Sequence, residues 1–135
     1  MFDEHTRSRI MSTVRTAHTD PEVRLGKLLR LVGVPVSAQA TRLPGSPDFV
    51  VRPSKLAIFV DGDFWHGREW FAVGAAPVTN RDFWIAKFEK NRARDRRADR
   101  KLRRLGWSVL HVWASDIRRR PEAVIRRVIR AVTSR

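Results

Sequence analysis

The apolar run from Leu56 to Val60 contains no polar position. A run of this length without alternation is typical of a strand covered on both faces, in the middle of a sheet. It ends in Asp61-Gly62-Asp63, which Phe64, Trp65 and His66 follow directly. A central strand holds the groups at its carboxyl end rigidly, at the sheet edge where ligands bind. The pattern therefore predicts a functional site directly after this strand.

Apolar residues at helical spacing predict helices on either side of this strand. One is predicted from Pro21 to Val32, one from Thr79 or Asn80 to about Leu105, and one from Pro121 onward. A weaker pattern over 6–16 fits either a docked terminal helix or a basic arm that orders on DNA. The inner stripe expected of the long helix is Phe88, Ala98, Leu102 and Leu105.

Shorter apolar segments predict further strands at 34–39, 48–51 and 107–113. The tight connection at 52–55 makes the second of these and the central strand an antiparallel hairpin. Trp107 and Trp113, on the last strand, are expected in the core. The order helix, three strands, long helix, strand, helix predicts an α/β fold, a mixed sheet flanked by helices. At 135 residues the chain is expected to form a single domain, with residues 1–18 as an amino-terminal helix or arm.

The formal net charge is +14, and most of the basic residues are arginines. Such a charge opposes compaction by self-repulsion, so an anionic partner is its natural explanation. Arginine binds phosphate oxygens bidentately and stacks on bases, which favours nucleic acid. A solubilising surface or arginine-rich codon usage would also enrich arginine, but codon usage does not explain the net charge. The long helix carries ten basic residues from Lys87 to Arg104 against three acids, so one flank is expected to face phosphates.

Several classes of protein are disfavoured by what the sequence lacks. There is no cysteine, so neither a disulfide framework nor a cysteine-based zinc site is expected. No apolar run approaches membrane-spanning length, and the amino terminus lacks the apolar segment of a signal peptide. A soluble, intracellular protein is therefore expected.

Acidic and basic side chains converge on one edge of the predicted sheet. Asp48 opens the first strand of the hairpin and Asp61 closes the second, so the two carboxylates should meet. Carboxylates this close repel each other unless a cation lies between them, and Mg²⁺ prefers such oxygen ligands. His66 adds a group that titrates near neutral pH and can take a proton from water. With Glu22 and Asp63 nearby, this is the apparatus of a phosphodiester nuclease.

Each of these residues also has an ordinary explanation. Glu22 fits an acid that complements a helix dipole, and Asp48 fits a turn cap. Asp61-Gly62-Asp63 fits a turn, and His66 a loop histidine. Their joint placement favours the site. Exposed aromatic residues beside such a site, Phe64 with Trp65 and Trp84, would wedge between base pairs and unstack them.

With these residues in view, the chain resembles the very-short-patch-repair endonucleases, the DNA mismatch endonuclease family of the restriction-endonuclease-like superfamily. The block Phe64-Trp65-His66 is specific to that family. The matching segments run in order over most of the chain: Arg-Ser-Arg-Ile-Met at 7–11, Pro-Glu-Val-Arg-Leu at 21–25, Leu-Pro-Gly-Ser-Pro-Asp-Phe-Val at 43–50, Ile-Phe-Val-Asp-Gly-Asp-Phe-Trp-His at 58–66, Asn-Arg-Asp-Phe-Trp at 80–84, Lys-Asn-Arg-Ala-Arg-Asp-Arg-Arg at 90–97 and Leu-Gly-Trp-Ser-Val-Leu-His-Val-Trp at 105–113.

The resemblance implies a Mg²⁺-dependent endonuclease that nicks one strand beside the thymine of a T:G mismatch, the product of 5-methylcytosine deamination. The site residues it implies are Asp48 and the Val60 carbonyl as metal ligands, Asp61 beside the metal as a further ligand, His66 as the catalytic histidine, Glu22 as the amino-terminal site acid and Asp95 as a partner behind the site. The DNA contacts expected are the wedge Phe64, Trp65 and Trp84 from the major groove, Met11 from the other side, and the basic residues Arg7, Arg9, Lys90 and Arg94.

The expected partner is double-stranded DNA, bound by a monomer in the bacterial cytoplasm at the nucleoid, together with mismatch-repair proteins and without a membrane. Two alternatives stay open. One is a nuclease of the same fold that acts on another mismatch or on modified DNA. The other is a catalytically silent DNA-binding module, which would need the basic helix and the aromatic residues but not the acids.

One departure from the family pattern concerns zinc. The best-known members hold a structural zinc with cysteines and a histidine, and one cysteine directly precedes the Phe-Trp-His block. Here Asp63 occupies that place, and Ser115 stands where another cysteine would fall. A structural zinc is therefore not expected, and hydrophobic packing by Trp70 and Phe71 is the predicted substitute. An unchanged melting temperature after replacing both by alanine would contradict that substitute.

Overall fold

The computed structural model describes residues 2–16, 20–38 and 40–134. In chain order the elements are α1 (Glu4–Thr16), α2 (Pro21–Leu31), β1 (Ser37–Ala38), β2 (Phe49–Val51), β3 (Leu56–Asp61), α3 (Arg68–Val73), α4 (Arg81–Arg104), β4 (Ser108–Trp113), α5 (Ala114–Arg119) and α6 (Pro121–Thr133). The pattern of apolar positions does not predict α3 and α5, which have six residues each. The strand predicted over 34–39 shortens to β1, and its last residue, Gln39, lies outside the described residues.

The sheet has the order β1-β2-β3-β4. The pairs β1–β2 and β2–β3 are antiparallel, and β3–β4 is parallel. The predicted hairpin is confirmed, with Phe49 opposite Ile58 and Val51 opposite Leu56. Because β3 has a neighbour on each edge, it is the interior strand that its unbroken apolar run predicts. The predicted α/β fold, a mixed sheet flanked by helices, is confirmed.

The two faces of the sheet are covered by different helices. Leu56 and Ile58 are fully buried in a core that includes residues of α1, α2, α5 and α6. Side chains alternate along a strand, so Phe59 and Asp61 point to the opposite face. On that face His111 of β4 joins Asp61 to Asp99 of α4. The polar groups of the sheet therefore lie on the α4 face, and the apolar core lies on the other.

The amino-terminal segment is a docked helix rather than an extended arm. Ile10 is fully buried and Val14 is 7% exposed, and both belong to the core. Met11, on the outer side of the same helix, is 40% exposed. Of the two interpretations that the sequence left open, the structure supports the docked helix.

Three positions expected in the core are not buried. Trp107 and Trp113 are only partly buried. Trp113 lies on the polar α4 face of the sheet, where the guanidinium of Arg68 stacks on its ring. Leu105 is 56% exposed because α4 has already ended there and Leu105 is its carboxyl-terminal cap. The longest helix, α4, has 24 residues and is strongly basic. No helix of the described residues has the length and apolarity needed to cross a membrane.

Candidate active site

A cleft of about 410 Å³ lies between the α4 face of the sheet and α4 itself. It is lined by Gly45, Ser46, Asp48, Phe59, Val60, Asp61, His66, Arg94, Asp95, Ala98, Asp99 and His111. Five residues that the sequence predicted for the site, Asp48, Val60, Asp61, His66 and Asp95, are thus brought together.

Asp48 is held against the end of β3 by the backbone. The Val60 N–H donates a 2.7 Å hydrogen bond to its Oδ2. Since the N–H and C=O of one strand residue point to the same edge, we expect the Val60 carbonyl also to face Asp48. Burial raises the pKa of Asp48, the Val60 bond lowers it in part, and the nearby charge of Asp61 raises it further. The carboxyl group thus sits where a proton or a cation is favoured.

Glu22 reaches this group from the first turn of α2. Its pKa is raised by burial and then by the charge of Asp48, with which it shares a hydrogen bond. The Glu22 side chain is exposed, because it lies at the start of α2, outside the buried stripe that begins at Leu25. Glu22 thus borders the cleft from its rim.

His66 is bound by a carboxylate on one side and faces another. Its Nδ1 lies 2.8 Å from Asp95 Oδ2, and its Nε2 lies 3.9 Å from Asp61 Oδ1. The bond to Asp95 raises the pKa of His66, burial lowers it, and the charge of Asp61 raises it further. Because Nδ1 is committed to Asp95, the ring presents Nε2 to the cleft.

A second histidine, His111, contacts Asp61 from its other side. His111 Nδ1 is 2.8 Å from Asp61 Oδ2, and His111 Nε2 is 2.9 Å from both carboxylate oxygens of Asp99. Burial alone would lower the pKa of His111, but Asp61 and Asp99 raise it to about 9. His111 and Asp99 were not predicted as site residues.

Helical spacing along α4 could have revealed the missed residue Asp99. The positions 88, 91, 95, 99 and 102 fall three or four apart and therefore on one face. Asp99 is 9% exposed and Asn91 is 5% exposed, between the apolar Phe88 and Leu102. Acidic residues at the spacing of a buried helical stripe indicate site residues. A count of acidic against basic residues along the helix does not reveal this spacing. His111 carried no such signal, because it stands singly in an apolar strand.

Two close approaches fix the turn that carries His66. Gly67 adopts a φ of +63°, and a Cβ there would lie 2.8 Å from Phe88 of α4. The Asn91 side chain donates a 2.8 Å hydrogen bond to the Trp65 carbonyl. Any larger residue at Gly67 would push the turn away from α4, and His66 would lose its position beside Asp95.

Asp63 is not part of this cleft. It lies in what we call the Arg68 cluster, which comprises Asp63, Arg68, Ser115 and Asp116. Arg68 Nη1 lies 3.1 Å from Asp63 Oδ2, 3.1 Å from Ser115 Oγ and 3.0 Å from Asp116 Oδ1. The Ser115 N–H donates to Asp63 Oδ1 at 3.0 Å, and its hydroxyl donates to Oδ2. The expectation that Asp63 joins the other acids at the site was wrong, because the chain turns away from the sheet after Asp61.

The Arg68 cluster does not fit a zinc ion. The centre of its oxygen atoms is already occupied by a guanidinium nitrogen, and a second cation there would face that charge without a thiolate or imidazole ligand. Trp70 and Phe71, the predicted substitutes for the metal, pack instead against Arg81 and Arg92, and Phe71 is 38% exposed. Their contribution to stability stays a prediction.

The cleft, in contrast, is suited to a divalent cation. One ligand atom each from Asp61, His66 and Asp95 lies within 4.8 Å of the others. His66 and Asp95 of this group already share a direct contact, and the assignment of Asp48, Asp61 and the Val60 carbonyl as metal ligands stays a prediction. The raised pKa of Asp48 fits this assignment, because a cation would neutralise the repulsion.

The aromatic residues predicted as a wedge form one cluster beside the cleft. Phe64 contacts Trp65 and Trp84, with ring centroids 5.4 and 5.0 Å apart. Phe64 is 47% and Trp65 55% exposed, while Phe88 beneath them is buried. Phe83 adds a further exposed ring at 5.1 Å from Trp84. Exposed apolar rings supported by buried ones mark an interaction surface.

The basic residues predicted to bind DNA lie on α4 and on α1. Of the ten between Lys87 and Arg104, all except Lys87 are exposed, including Lys90 and Arg94. Within the described residues, an ion pair of 3.7 Å joins Arg94 to Asp95. In α1, Arg9 is exposed and Arg7 pairs with Glu122 of α6 at 3.2 Å. Arg7 therefore also contributes to the docking of α1.

The protein has a mixed α/β sheet, with acids and a histidine at the end of its interior strand and a strongly basic helix beside them. This arrangement is consistent with a DNA endonuclease of the restriction-endonuclease-like class. Comparison with known proteins specifies the family. Residues 1–72 match the family model described as DNA mismatch endonuclease Vsr. The chain belongs to this family.

Relatives agree over most of the chain. It is 42% identical over 120 residues to the DNA mismatch endonuclease Vsr of Escherichia coli strain K12, covering 89% of this chain and 76% of that protein. It is 36% identical over 126 residues to the type II nicking enzyme V.NmeDIP of Neisseria meningitidis serogroup C, covering 93% and 85%. It is 31% identical over 132 residues to the type II nicking enzyme V.HpaIIP of Haemophilus parainfluenzae, covering 98% and 94%.

Proposed function

We propose that this DNA endonuclease uses Mg²⁺ to nick one strand beside the thymine of a T:G mismatch. The observation that carries the proposal is the position of His66. Its Nδ1 is fixed by Asp95 at 2.8 Å, and its Nε2 faces the cleft within 3.9 Å of Asp61. Family membership and the names of the relatives, one a mismatch endonuclease and others nicking enzymes, support the choice of substrate.

His66 is the general base in this proposal. Its Nε2 takes a proton from a water whose oxygen forms a bond to phosphorus, while the bond to the departing sugar oxygen breaks and that oxygen gains a proton from solvent. Asp95 fixes the tautomer and the ring orientation. Asp48, Asp61 and the Val60 carbonyl would hold Mg²⁺, which when bound supplies charge stabilisation for the phosphate oxygens.

Glu22 supports this site from its rim. Its shared hydrogen bond with Asp48 keeps the Asp48 carboxyl group oriented toward the end of β3. The pKa of Glu22 is raised by burial and by the charge of Asp48, and the pKa of Asp48 by burial and by the charge of Asp61, so a cation at this site would stabilise their ionised forms.

The mismatch is recognised by the exposed rings. Phe64, Trp65 and Trp84 enter the DNA from the major groove, where a weakly paired T:G step costs less to open than a T:A step. Met11, 40% exposed on α1, inserts from the other side. Arg7, Arg9, Lys90 and Arg94 bind the flanking phosphates.

The proposal also covers the oligomeric state, location and partners of the protein. The protein acts as a single-domain monomer on double-stranded DNA, in the bacterial cytoplasm at the nucleoid, and its nick is handed to mismatch-repair proteins. A T:G mismatch left by deamination of 5-methylcytosine is the lesion that such a nick would begin to correct.

The test is strand-resolved cleavage of a short labelled duplex with one T:G mismatch, beside the matched T:A duplex, each with and without Mg²⁺. We expect a Mg²⁺-dependent nick in the thymine strand of the mismatch alone. Cleavage of both duplexes would contradict the proposed mismatch specificity but would still support a nuclease activity. Binding without cleavage of these and of other mismatched or modified duplexes would favour a silent DNA-binding module.

A further inference from the structure

The imidazole of His111 is constrained on a face and at both ring nitrogens. Phe59, its neighbour across the β3–β4 pair, stacks on the ring with centroids 4.8 Å apart and planes 11° apart. Nδ1 meets Asp61 Oδ2 at 2.8 Å, and Nε2 meets the Asp99 carboxylate at 2.9 Å. Asp61 and Asp99 are each 9% exposed. A ring held in this way has one orientation.

The two contacts place the His111 ring between two carboxylates, with each ring nitrogen within 2.9 Å of a carboxylate oxygen. The ring therefore ties Asp61 to Asp99, and its position leaves Asp61 an oriented group rather than a freely rotating one.

The consequence for the cleft concerns Asp61. Its Oδ2 is occupied by His111, so its other oxygen, Oδ1, points to His66 Nε2 at 3.9 Å. The two histidines are thus anchored by the same helix, His66 directly through Asp95 and His111 through Asp99. One face of α4 therefore sets the distance between His66, the proposed base, and the carboxylate of Asp61.

We propose that His111, backed by Asp99, is a positioning residue that directs Asp61 Oδ1 toward His66 and the reacting phosphate. This inference rests on the proposed function, since it assigns Asp61 to the cleavage site. His111 lines the cleft, but both of its ring nitrogens are engaged by carboxylates. Its effect on the reaction passes through Asp61.

Two substitutions separate the two bonds. In His111→Asn the amide nitrogen stands near the position of Nδ1 and can still donate to Asp61. In His111→Gln it stands near the position of Nε2 and can still donate to Asp99. We expect the asparagine variant to keep the single-turnover cleavage rate within about threefold of wild type, and the glutamine variant to lose roughly ten- to a hundredfold, the cost of misplacing a reacting group by about 1 Å.

DNA affinity, measured by fluorescence anisotropy with Ca²⁺ in place of Mg²⁺, should be unchanged in both variants, because they leave the proposed DNA-binding rings and basic residues untouched. If His111 had a role in stability alone, the two variants would cleave at equal rates, or their rates would fall in parallel with their melting temperatures. Either result would overturn the positioning role. Asp99→Asn, which keeps an oxygen acceptor for Nε2 and leaves the contact between His111 and Asp61 in place, should lose no more activity than His111→Asn.

The outcome is separable from that of the proposed function. The variants are compared on whichever duplex the wild-type protein cuts, so a change of preferred mismatch leaves the comparison intact. Wild-type protein that cuts no duplex would overturn the proposed function, and the role of His111 with it. Cutting by wild type with equal rates in the asparagine and glutamine variants would overturn the role of His111 alone.

Discussion

Asp61 and Asp63 lie two residues apart at the end of β3, but they belong to two different clusters of charged residues. The two clusters differ in how the negative charge of their carboxylates is compensated. In the Arg68 cluster, two carboxylates surround a guanidinium, with Arg68 Nη1 within 3.1 Å of Asp63 and 3.0 Å of Asp116. In the cleft cluster, which comprises Asp48, Asp61, His66 and Asp95, the acids outnumber the bases and Asp48 has a raised pKa. The carboxylates of the Arg68 cluster bind a cation of the protein itself. Those of the cleft cluster would be compensated by a bound cation, which in turn would bind a phosphate.

The geometry of β3 explains why neighbouring acids separate. Asp61 is the last residue of the strand, opposite Trp113 of β4, and still follows the alternation that directs it to α4. Asp63 comes after Gly62, in the turn, and its side chain meets the amino-terminal end of α5 at Ser115. The acids of the Arg68 cluster bind a guanidinium of the protein itself, which stabilises the fold, whereas the raised pKa of Asp48 marks the cleft cluster as a candidate for chemistry.

The largest expected effect is in the cleft cluster. His66→Ala removes the proposed base and should lower the single-turnover cleavage rate by roughly 10²- to 10⁴-fold, while the affinity for DNA is retained. Quenched-flow or gel-based cleavage, with anisotropy for binding, measures both. His5→Ala is the matched control, since His5 is exposed on α1. Normal cleavage by the His66 variant would remove this residue from the mechanism.

The Arg68 cluster should respond in stability. Arg68→Ala leaves Asp63 and Asp116 without their cation and should cost roughly 1.5–3 kcal/mol in the free energy of unfolding, as expected for hydrogen bonds to charged groups. Chemical denaturation measures it. Arg81→Ala is the control, because Arg81 contacts backbone carbonyls and the Trp70 ring. Equal stability of the two variants would show that the cluster does not hold the fold.

A smaller effect concerns pH. The bond to Asp95 is the main cause that raises the pKa of His66 above 6.5. A base must be neutral, so cleavage should be lost as pH falls through this raised value. Asp95→Asn should therefore shift the acid limb of the pH–rate profile to lower pH. Arg94→Gln, which removes a cation that lowers the same pKa, should shift it slightly to higher pH. Shifts of the same sign in both variants would contradict the assignment.

The elements of the fold were largely predictable, because each rests on local signals. The apolar run of β3, the tight connection before it and Pro21 and Pro121 at helix starts act through neighbouring residues. The predicted acids Asp48 and Asp61 line one cleft, since the hairpin carries both to the same edge of the sheet.

What the sequence could not give depends on contacts between distant segments. The bond between His111 and Asp61 spans 50 residues, and the bond between Asp63 and Ser115 spans 52. Neither is visible in periodicity, so His111 was missed and Asp63 was assigned to the wrong cluster. Leu105 was misjudged for a simpler reason, because helical spacing was extended one residue past the end of α4.

The most direct test of the comparison exchanges a single atom in each cluster. Asp61→Asn and Asp63→Asn are nearly isosteric, lie two residues apart and each remove one negative charge. Cleavage rate and melting temperature are measured for both variants at a temperature where both are folded. We expect Asp61→Asn to lose cleavage with little loss of stability, and Asp63→Asn to lose stability while it still cuts. Matching losses in the two variants, or the reverse pattern, would contradict the division of labour between the clusters.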